Sequence, residues 1–293
     1  MMPRTCFILN PHAGSNQRHD LPALIARHLG GREGEDYAVW PTQYAGHAVE
    51  LARQAAGAGF RVVVAVGGDG TINEVGRGLL GTGAAMGIVP QGSGNGLARH
   101  LKVPLSLVGA LARLREPAFS RIDVGTINGR AFFCTAGLGF DAHVSKHFAQ
   151  AGTRGLLTYL RVTLREYQNF QPVAVRVSLD DGLDMLETDC YVLAFANASQ
   201  YGNNAYIAPH ADLRDGLLDG CLIDALPVVR AVRVSLALAL GNLPATKAAA
   251  YYQLKHARIT AAAPLGFHAD GEYLGHATEF DVSLSPLALE VAV

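Results

Sequence analysis

The sequence predicts two domains of different class. The first is a three-layer-like α/β domain built on a parallel sheet, and the second is an antiparallel, β-sandwich-like domain. Three observations predict this. The chain has 293 residues, and one to two hundred residues per domain is a loose prior. Its first 120 residues alternate short apolar runs with helical patterns. After that point the apolar runs alternate residue by residue and are punctuated by Gly and Asp.

In the first part, Cys6–Leu9, Tyr37–Trp40, Val62–Val66 and Met86–Val89 read as strands. Between them lie helical patterns at Leu21, Leu24, Ile25, His28, Leu29, then Val49, Leu51, Ala52, Ala55, then Ile72, Val75, Leu79. Strands separated by helices of this size indicate βαβ units. Val62 to Val66 is apolar on both faces, as a central strand covered by helices must be. In the second part, Val173, Val175, Val177 and Leu179 alternate with Ala174, Arg176 and Ser178, and Asp180-Asp181-Gly182 supplies a turn. Cys190–Ala196, Gly220–Ala225, His256–Ala262 and Glu279–Leu284 are further strand candidates. Helices are expected at Arg154–Asn169 and Val228–Leu243. The expected domains are residues 1–120 and residues 121–284. The tail 285–293 is expected to return to the first domain, and the active site to lie in the interdomain cleft.

Composition narrows the class. Hydrophobic residues make up 49 % and charged residues 17 %, against about 25 % charged in an average soluble protein. Disorder, collagen and coiled coil are excluded. The formal net charge of -1 argues against nucleic-acid binding, which needs a basic excess. Residues 1–122 carry 12 Lys+Arg against 8 Asp+Glu, and residues 123–293 carry 12 against 17. A basic first half suits a phosphate-rich ligand, and an acidic second half suits a divalent metal. Four scattered cysteines, without a C-x-x-C pair, read as reduced thiols. The opening apolar run of Cys6–Leu9 is shorter than a secretory signal requires. Val228 to Leu243 is too short to span a bilayer and is broken by Arg230 and Arg233. A cytoplasmic protein is expected.

The chemistry concentrates in the loops that follow the parallel strands, where ligands of open α/β sheets bind. These are Asn10-Pro11-His12-Ala13-Gly14, Pro41-Thr42, Gly67-Gly68-Asp69-Gly70-Thr71-Ile72-Asn73 and Gln91-Gly92-Ser93-Gly94-Asn95-Gly96. Three glycines in the third loop let backbone approach a ligand, and the following helix offers free N–H groups to an anion. A plain tight turn with Asp69 or Thr71 capping the helix explains one glycine but not three. Asn73 stands where a dinucleotide fingerprint needs Gly, and no G-x-x-x-x-G-K-[ST] exists. Phosphates must then be held by backbone, hydroxyls, arginine or metal.

Gly67-Gly68-Asp69-Gly70-Thr71 followed by Gly92-Ser93-Gly94-Asn95 resembles the diacylglycerol kinase/sphingosine kinase catalytic family, and most closely its soluble bacterial lipid kinases. Asn10-Pro11-x-x-Gly14, Asp123-Val124-Gly125, Gly137-x-Gly139-x-Asp141, Asp215-Gly216-Leu217-Leu218-Asp219 and Asp270-Gly271-Glu272 fit in the same order, so the resemblance covers nearly the whole chain. The G-G-D-G-T element is shared with NAD kinases and phosphofructokinases; the later elements favour the lipid kinases. The resemblance implies that ATP is held by Asn10, Gly14, Thr42, Gly67, Gly68, Asp69, Gly70, Thr71, Ile72, Asn73 and Ser93. It implies a structural Mg²⁺ on the Asp215 side chain and the backbone carbonyls of Asp212 and Leu217. Glu272 is the implied general base, and Asp69, with Asp123 as a further member, is linked to a catalytic metal through water. The implied acceptor is a lipid hydroxyl, of diacylglycerol or a sphingoid base, presented at a membrane surface that the protein visits transiently. A homodimer stays open. Diacylglycerol kinases usually read G-T-G-N-D where this chain has Gly92-Ser93-Gly94-Asn95-Gly96, and the serine version is closer to the sphingosine-kinase form.

Phosphoryl transfer needs in-line positioning, charge neutralisation and a carboxylate near the attacking hydroxyl. A carboxylate is a weak base for an alcohol, so Glu272 is expected to orient the hydroxyl and accept the proton late. Taken alone, Asp270-Gly271 is equally a hairpin turn, and Asp215-Gly216 is equally a turn. His143 and His147 stand one helical turn apart, but Glu is absent from position 144, so the pair is not H-E-x-x-H and reads as a surface helix face. Asn197-Ala198-Ser199 matches a glycosylation acceptor that a chain without a signal never presents. Arg154, Thr158, Arg161 and Arg165 recur at helical spacing, as in a helix packed on the second domain with solvated arginines or a helix touching anionic lipid. The rivals to a lipid kinase are an NAD-kinase-type kinase of a soluble substrate and a non-catalytic nucleotide-binding protein.

Overall fold

The computed structural model describes residues 3–14, 21–150, 156–167, 169–180, 184–224, 226, 234, 237–238, 240–246 and 248–293. The chain divides into two compact units, Met1–Ile122 with Leu287–Val293, and Asp123–Pro286.

The first unit contains β1 (Thr5–Leu9), α1 (Leu21–Leu29), β2 (Tyr37–Pro41), α2 (His47–Gly57), β3 (Val62–Gly67), α3 (Asp69–Leu79), β4 (Ala85–Pro90), α4 (Gly96–His100) and α5 (Leu107–Arg115). Its sheet is parallel in the order β2-β1-β3-β4. The end of the chain adds a further parallel strand through Val291 and Ala292 beside β4. All of β3 and β4 is buried, as unbroken apolar runs require in a sheet covered on both faces. Helix α1 packs with α5, and α2 packs with α3. The strand order reverses between β1 and β3, which makes their carboxyl ends the switch point at which such sheets take ligands.

The helix contacts follow from small residues and placed charges. The Glu74 carboxylate of α3 accepts from Gly46 N at 3.0 Å and Ala48 N at 3.2 Å, so it answers the amides at the start of α2. Ser106 caps α5 by accepting from Gly109 N at 3.2 Å. Gly78 lets α3 meet α2 closely, since a Cβ there would stand 2.5 Å from the Val49 carbonyl oxygen and 2.6 Å from Ala52 Cβ.

In the second unit the chain runs through β5 (Phe119–Ile127, shared at the crossing), β6 (Arg130–Phe132), β7 (Thr135–Gly139), α6 (Phe140–Gln150), α7 (Leu156–Glu166), β8 (Val173–Leu179), β9 (Asp184–Cys190), β10 (Val192–Ala196), β11 (Leu218–Ile223), β12 (Ala249–Leu254), β13 (His256–Ala269) and β14 (Glu272–Ala292, whose end belongs to the first unit). The pairings among these strands are antiparallel: β12-β11-β10-β7-β13, with β13 also beside β14 and β8, and β9 beside β8. In β8, Val175, Val177 and Leu179 are buried while Ala174 and Arg176 face water, as the alternation predicts. One core joins Phe132, Leu138, Phe195, Ile259, Phe267 and Phe280, and a second packs Phe140, Val144 and Val162 of the helices with Tyr191, Ala194 and Ile207.

The expected strand Cys190–Ala196 is two strands with a corner at Tyr191. Cys190 pairs with Val173, whereas Val192 pairs with Gly139 and Ile223. The Tyr191 carbonyl instead accepts from Phe140 N at 2.7 Å, which starts α6. Strands β13 and β14 extend well beyond His256–Ala262 and Glu279–Leu284 because each changes partner along its length. Asn197, Ala198 and Ser199 are all buried, with the Asn197 amide donating to the carbonyls of Asp123 and Phe133. Burial, beyond any question of targeting, removes that sequon from modification. Most of the helix expected at Val228–Leu243, the residues Arg154, Asp181 and Gly182, and the side chain of Thr158 lie outside the described residues. Within α7, Arg161, Leu164 and Arg165 are exposed and Val162 is buried. Among the described residues no helix is long and apolar enough to cross a membrane.

Gly78→Ala is expected to destabilise the protein by about 1–2 kcal/mol in urea unfolding. Overpacking against a backbone carbonyl costs about 1–3 kcal/mol, and the helix-propensity gain of at most about 1 kcal/mol offsets only part of it.

Candidate active site

The glycine-rich loops of the first unit interlock at the carboxyl ends of β1, β3 and β4. Asn10 N donates to Val66 O at 3.0 Å, Thr42 N to Leu9 O at 2.8 Å and Gln91 N to Gly67 O at 2.7 Å. The Asn10 side chain ties the loop after β1 to the first turn of α3 by donating from Nδ2 to Thr71 Oγ1 at 3.1 Å, while its Oδ1 accepts from His12 N. Glycine is required where the loops touch. A Cβ on Gly92 would stand 2.7 Å from Gly68 Cα, and a Cβ on Gly67 would overlap the Thr71 side chain. Gly14 has a φ of 87°, the left-handed region, and sits against the Gln91 carbonyl.

Asp69 organises this cluster. Its Oδ2 accepts from Asn95 N at 2.8 Å and its Oδ1 from Gly96 N at 2.7 Å. The carboxylate thus satisfies the first amides of α4, one loop away, where negative charge is favoured. The plain-turn alternative, in which Asp69 or Thr71 caps the helix that follows, is therefore not what this loop forms. The cap of α3 is Gly68, with no side-chain bond, and Thr71 serves Asn10 instead. Buried Asn95 takes a φ of 52°, accepts from Gly92 N at 2.9 Å and donates to Gly92 O at 2.8 Å. Ser93 is exposed, whereas Thr71, Ile72 and Asn73 are buried in the first turns of α3.

The second unit gathers the other expected residues into two groups. Asp123 is fully buried, and its Oδ2 accepts from Gly216 N at 2.8 Å while its own N donates to Leu213 O at 2.7 Å. This brings Asp123 to the loop that carries Asp212, Asp215 and Leu217. Asp215 Oδ1 accepts from Leu217 N and Asp212 Oδ1 from Arg214 N, both at 3.0 Å, so the loop is a genuine turn as well as an acidic cluster. Gly216 has a φ of 74°. Burial and the charge of Asp215 push the Asp219 carboxyl above its ordinary range. The donors offered here are carboxylate and carbonyl oxygens, which suit a hard divalent cation such as Mg²⁺, and the acidic crowding at Asp219 is what a cation would relieve.

The second group surrounds Glu272. Ala269 pairs with Glu272 across Asp270-Gly271, whose φ values of 47° and 78° make the two-residue hairpin turn that D-G favours. Asp270 Oδ2 accepts from Phe133 N, and its Oδ1 from Cys134 N and Thr135 N, at 2.8–3.1 Å. Glu272 is exposed, and Arg130 Nη2 donates to its Oε2 at 2.5 Å. Turn and carboxylate therefore coexist, the one presenting the other.

The site also draws on residues whose roles no sequence pattern reveals. Asp270 and Arg130 give no local signal of theirs, since their partners are more than a hundred residues away. Buried His268 and Asp141 pair at 3.1 Å, and Tyr201 OH donates to the same Asp141 oxygen at 3.2 Å. A Cβ on Gly137 would overlap this pair, which is why Gly137 precedes Asp141 in the Gly-rich motif. His143 and His147, expected on a surface helix face, instead turn toward Glu166 of α7.

Known proteins share this organisation. Residues 4–127 match the diacylglycerol kinase catalytic domain, and residues 134–293 match the YegS C-terminal NAD kinase beta sandwich-like domain. A protein of Chromohalobacter salexigens named "Probable lipid kinase YegS-like" is 33 % identical over 267 residues, covering 88 % of this chain and 84 % of its own. A diacylglycerol kinase of Bacillus subtilis is 27 % identical over 281 residues, covering 94 % and 91 %. The crystal structure of a Bacillus anthracis protein described as a diacylglycerol kinase shares the fold, with a TM-score of 0.73 at 17 % identity, over 99 % of this chain and 96 % of that one. With its catalytic-domain loops and its β-sandwich-like second unit both matched, this chain belongs to the YegS-like and diacylglycerol kinase family of bacterial lipid kinases, and it is a kinase.

Proposed function

We propose that the protein transfers the γ-phosphate of ATP, with Mg²⁺, to the hydroxyl of a diacylglycerol-like or sphingoid-base-like lipid presented at a membrane surface. The observation that carries this reading is the loop cluster at the β1/β3 switch point, where Asn10, Thr71, the Gly67–Asn73 segment and the Gly92–Asn95 loop converge. Glycines there leave backbone amides open to phosphate oxygens, and the first turn of α3 adds the positive end of a helix. Asn10, Gly14, Thr42, Gly67 to Asn73 and Ser93 form the ATP subsite in this reading.

Asp215, with the carbonyls of Asp212 and Leu217, holds the Mg²⁺, which supplies charge neutralisation when bound. Buried Asp123 fixes the shape of that loop through Gly216. Glu272 orients the lipid hydroxyl and takes its proton. Arg130 holds the Glu272 carboxylate in one rotamer, and Asp270 holds the turn that presents it. The first unit takes the nucleotide and the second takes lipid and metal. Catalysis of this kind is positioning and electrostatics, so each of these geometric roles carries rate.

The test is transfer of radiolabel from ATP to mixed lipid vesicles, diacylglycerol, sphingoid bases or NAD. Label in the organic phase with wild type, and its loss with Glu272→Ala, is the expected result. Label on NAD alone, or none anywhere, rejects the proposal. Asp215→Ala is expected to raise the Mg²⁺ concentration needed for half-maximal transfer, measured by titrating Mg²⁺ at saturating ATP. Asp69→Asn is expected to lower stability even without nucleotide, by about 1–3 kcal/mol in urea unfolding, because one amide at the start of α4 loses its acceptor.

A further inference from the structure

Outside the kinase machinery, the second unit holds a cluster that nothing in the phosphoryl-transfer reading uses. His143 and His147 project from successive turns of α6, and Glu166 ends α7. His143 Nε2 stands 3.1 Å from Glu166 Oε2, and His147 Nε2 stands 3.8 Å from the same oxygen. One ligand atom from each residue lies within 4.8 Å of the others. Tetrahedral zinc with bonds of about 2.0–2.1 Å needs its ligands about 3.3 Å apart. The three atoms therefore need to move by no more than about an ångström to close on an ion.

We propose that His143, His147 and Glu166 form a zinc site that clamps α6 to α7, with the fourth position open to water. The donor set is two imidazoles and a carboxylate, which suits zinc; magnesium prefers oxygen alone. The site is therefore chemically distinct from the oxygen cluster at Asp215, and it does not depend on the kinase reading.

Further features support it. Glu166 is 7 % exposed, so its charge is withdrawn from water and calls for cationic partners. Desolvation lowers His147 toward its neutral, metal-binding form, with His143, Arg165 and Lys146 acting in the same direction and Glu166 opposing them. Arg165 Nε donates to Glu166 Oε1 at 2.7 Å and leaves Oε2 to the histidines, which orients the carboxylate as an outer-shell partner does. Phe140 and Phe170 flank the His143 ring, with centroids at 6.4 and 5.5 Å, and restrict its rotation. The positive charge of Arg165 opposes the ion, so affinity is expected below that of a cysteine-rich structural site. Cysteine does not compete, because all four thiols are buried, and burial pushes Cys6 and Cys221 up to about 12.

The experiment is titration of the full chain with Zn²⁺ against a chromogenic chelator, in excess Mg²⁺, for wild type, His147→Ala and Glu166→Gln. One zinc per chain is expected with wild type. Each variant should lose more than the 10–100-fold in affinity that outer-shell changes produce. Circular dichroism of the metal-free variants checks that they fold. A second measurement needs no variant: Zn²⁺ should protect His143 and His147, located by mass spectrometry, from carbethoxylation and should raise the wild-type melting temperature. Absence of stoichiometric binding by wild type, unchanged affinity in folded variants, or equal carbethoxylation with and without Zn²⁺ would overturn the site.

Discussion

A carboxylate wholly or partly withdrawn from water must be answered by donors, and at this site backbone amides hold Asp69, Asp123 and Asp270. Asp69 takes the amides of Asn95 and Gly96, Asp123 takes that of Gly216, and Asp270 takes those of Phe133, Cys134 and Thr135. Hydrogen bonds to a charged group contribute about 1.5–3 kcal/mol each, roughly twice a neutral one. The Gly67–Asn73, Gly92–Gly96, Asp212–Leu217 and Asp270–Glu272 loops are each held by one of these carboxylates, and the Asn10 loop touches the first of them. The acidic motifs are consequently architectural before they are chemical.

Close backbone approach is the companion constraint. Gly68 against the Gly92 backbone, and Gly67 against the Thr71 side chain, leave no space for a Cβ, so the loops meet at close range. The second unit uses the same economy differently. Gly137 makes room for the buried Asp141–His268 pair, and Asp270-Gly271 makes the turn that presents Glu272. Glu272 differs from the three anchoring carboxylates in being exposed and paired with a side chain, Arg130. A carboxylate that is held yet accessible is the one suited to meet a substrate.

Much of the fold was legible because its signals are local. Val62–Val66 reads as a fully covered strand, the alternation from Val173 to Leu179 reads as a half-buried one, and both are so. The glycine loops were legible from their spacing and their place after strands. The corner at Tyr191 was not, since Cys190–Ala196 is apolar throughout and only a change of pairing partner divides it. The roles of Arg130, Asp270 and His268 were hidden because their partners are far away in sequence. The His143/His147 spacing was visible, but Glu166 was not, and two histidines without a third group read as a surface face.

The sequence by itself determined the class of each unit, the parallel sense of the first sheet, the glycine loops that follow its strands and the list of acidic residues. These depend on period, on glycine and on turn chemistry, which act over a few residues. Only the tertiary structure decided what each carboxylate holds. Asp69 reaches across to α4, not along its own helix, and Asp123 meets the Asp215 loop from some ninety residues away. A carboxylate's partner is set by which amides the packing brings near it, and no local pattern encodes that distance.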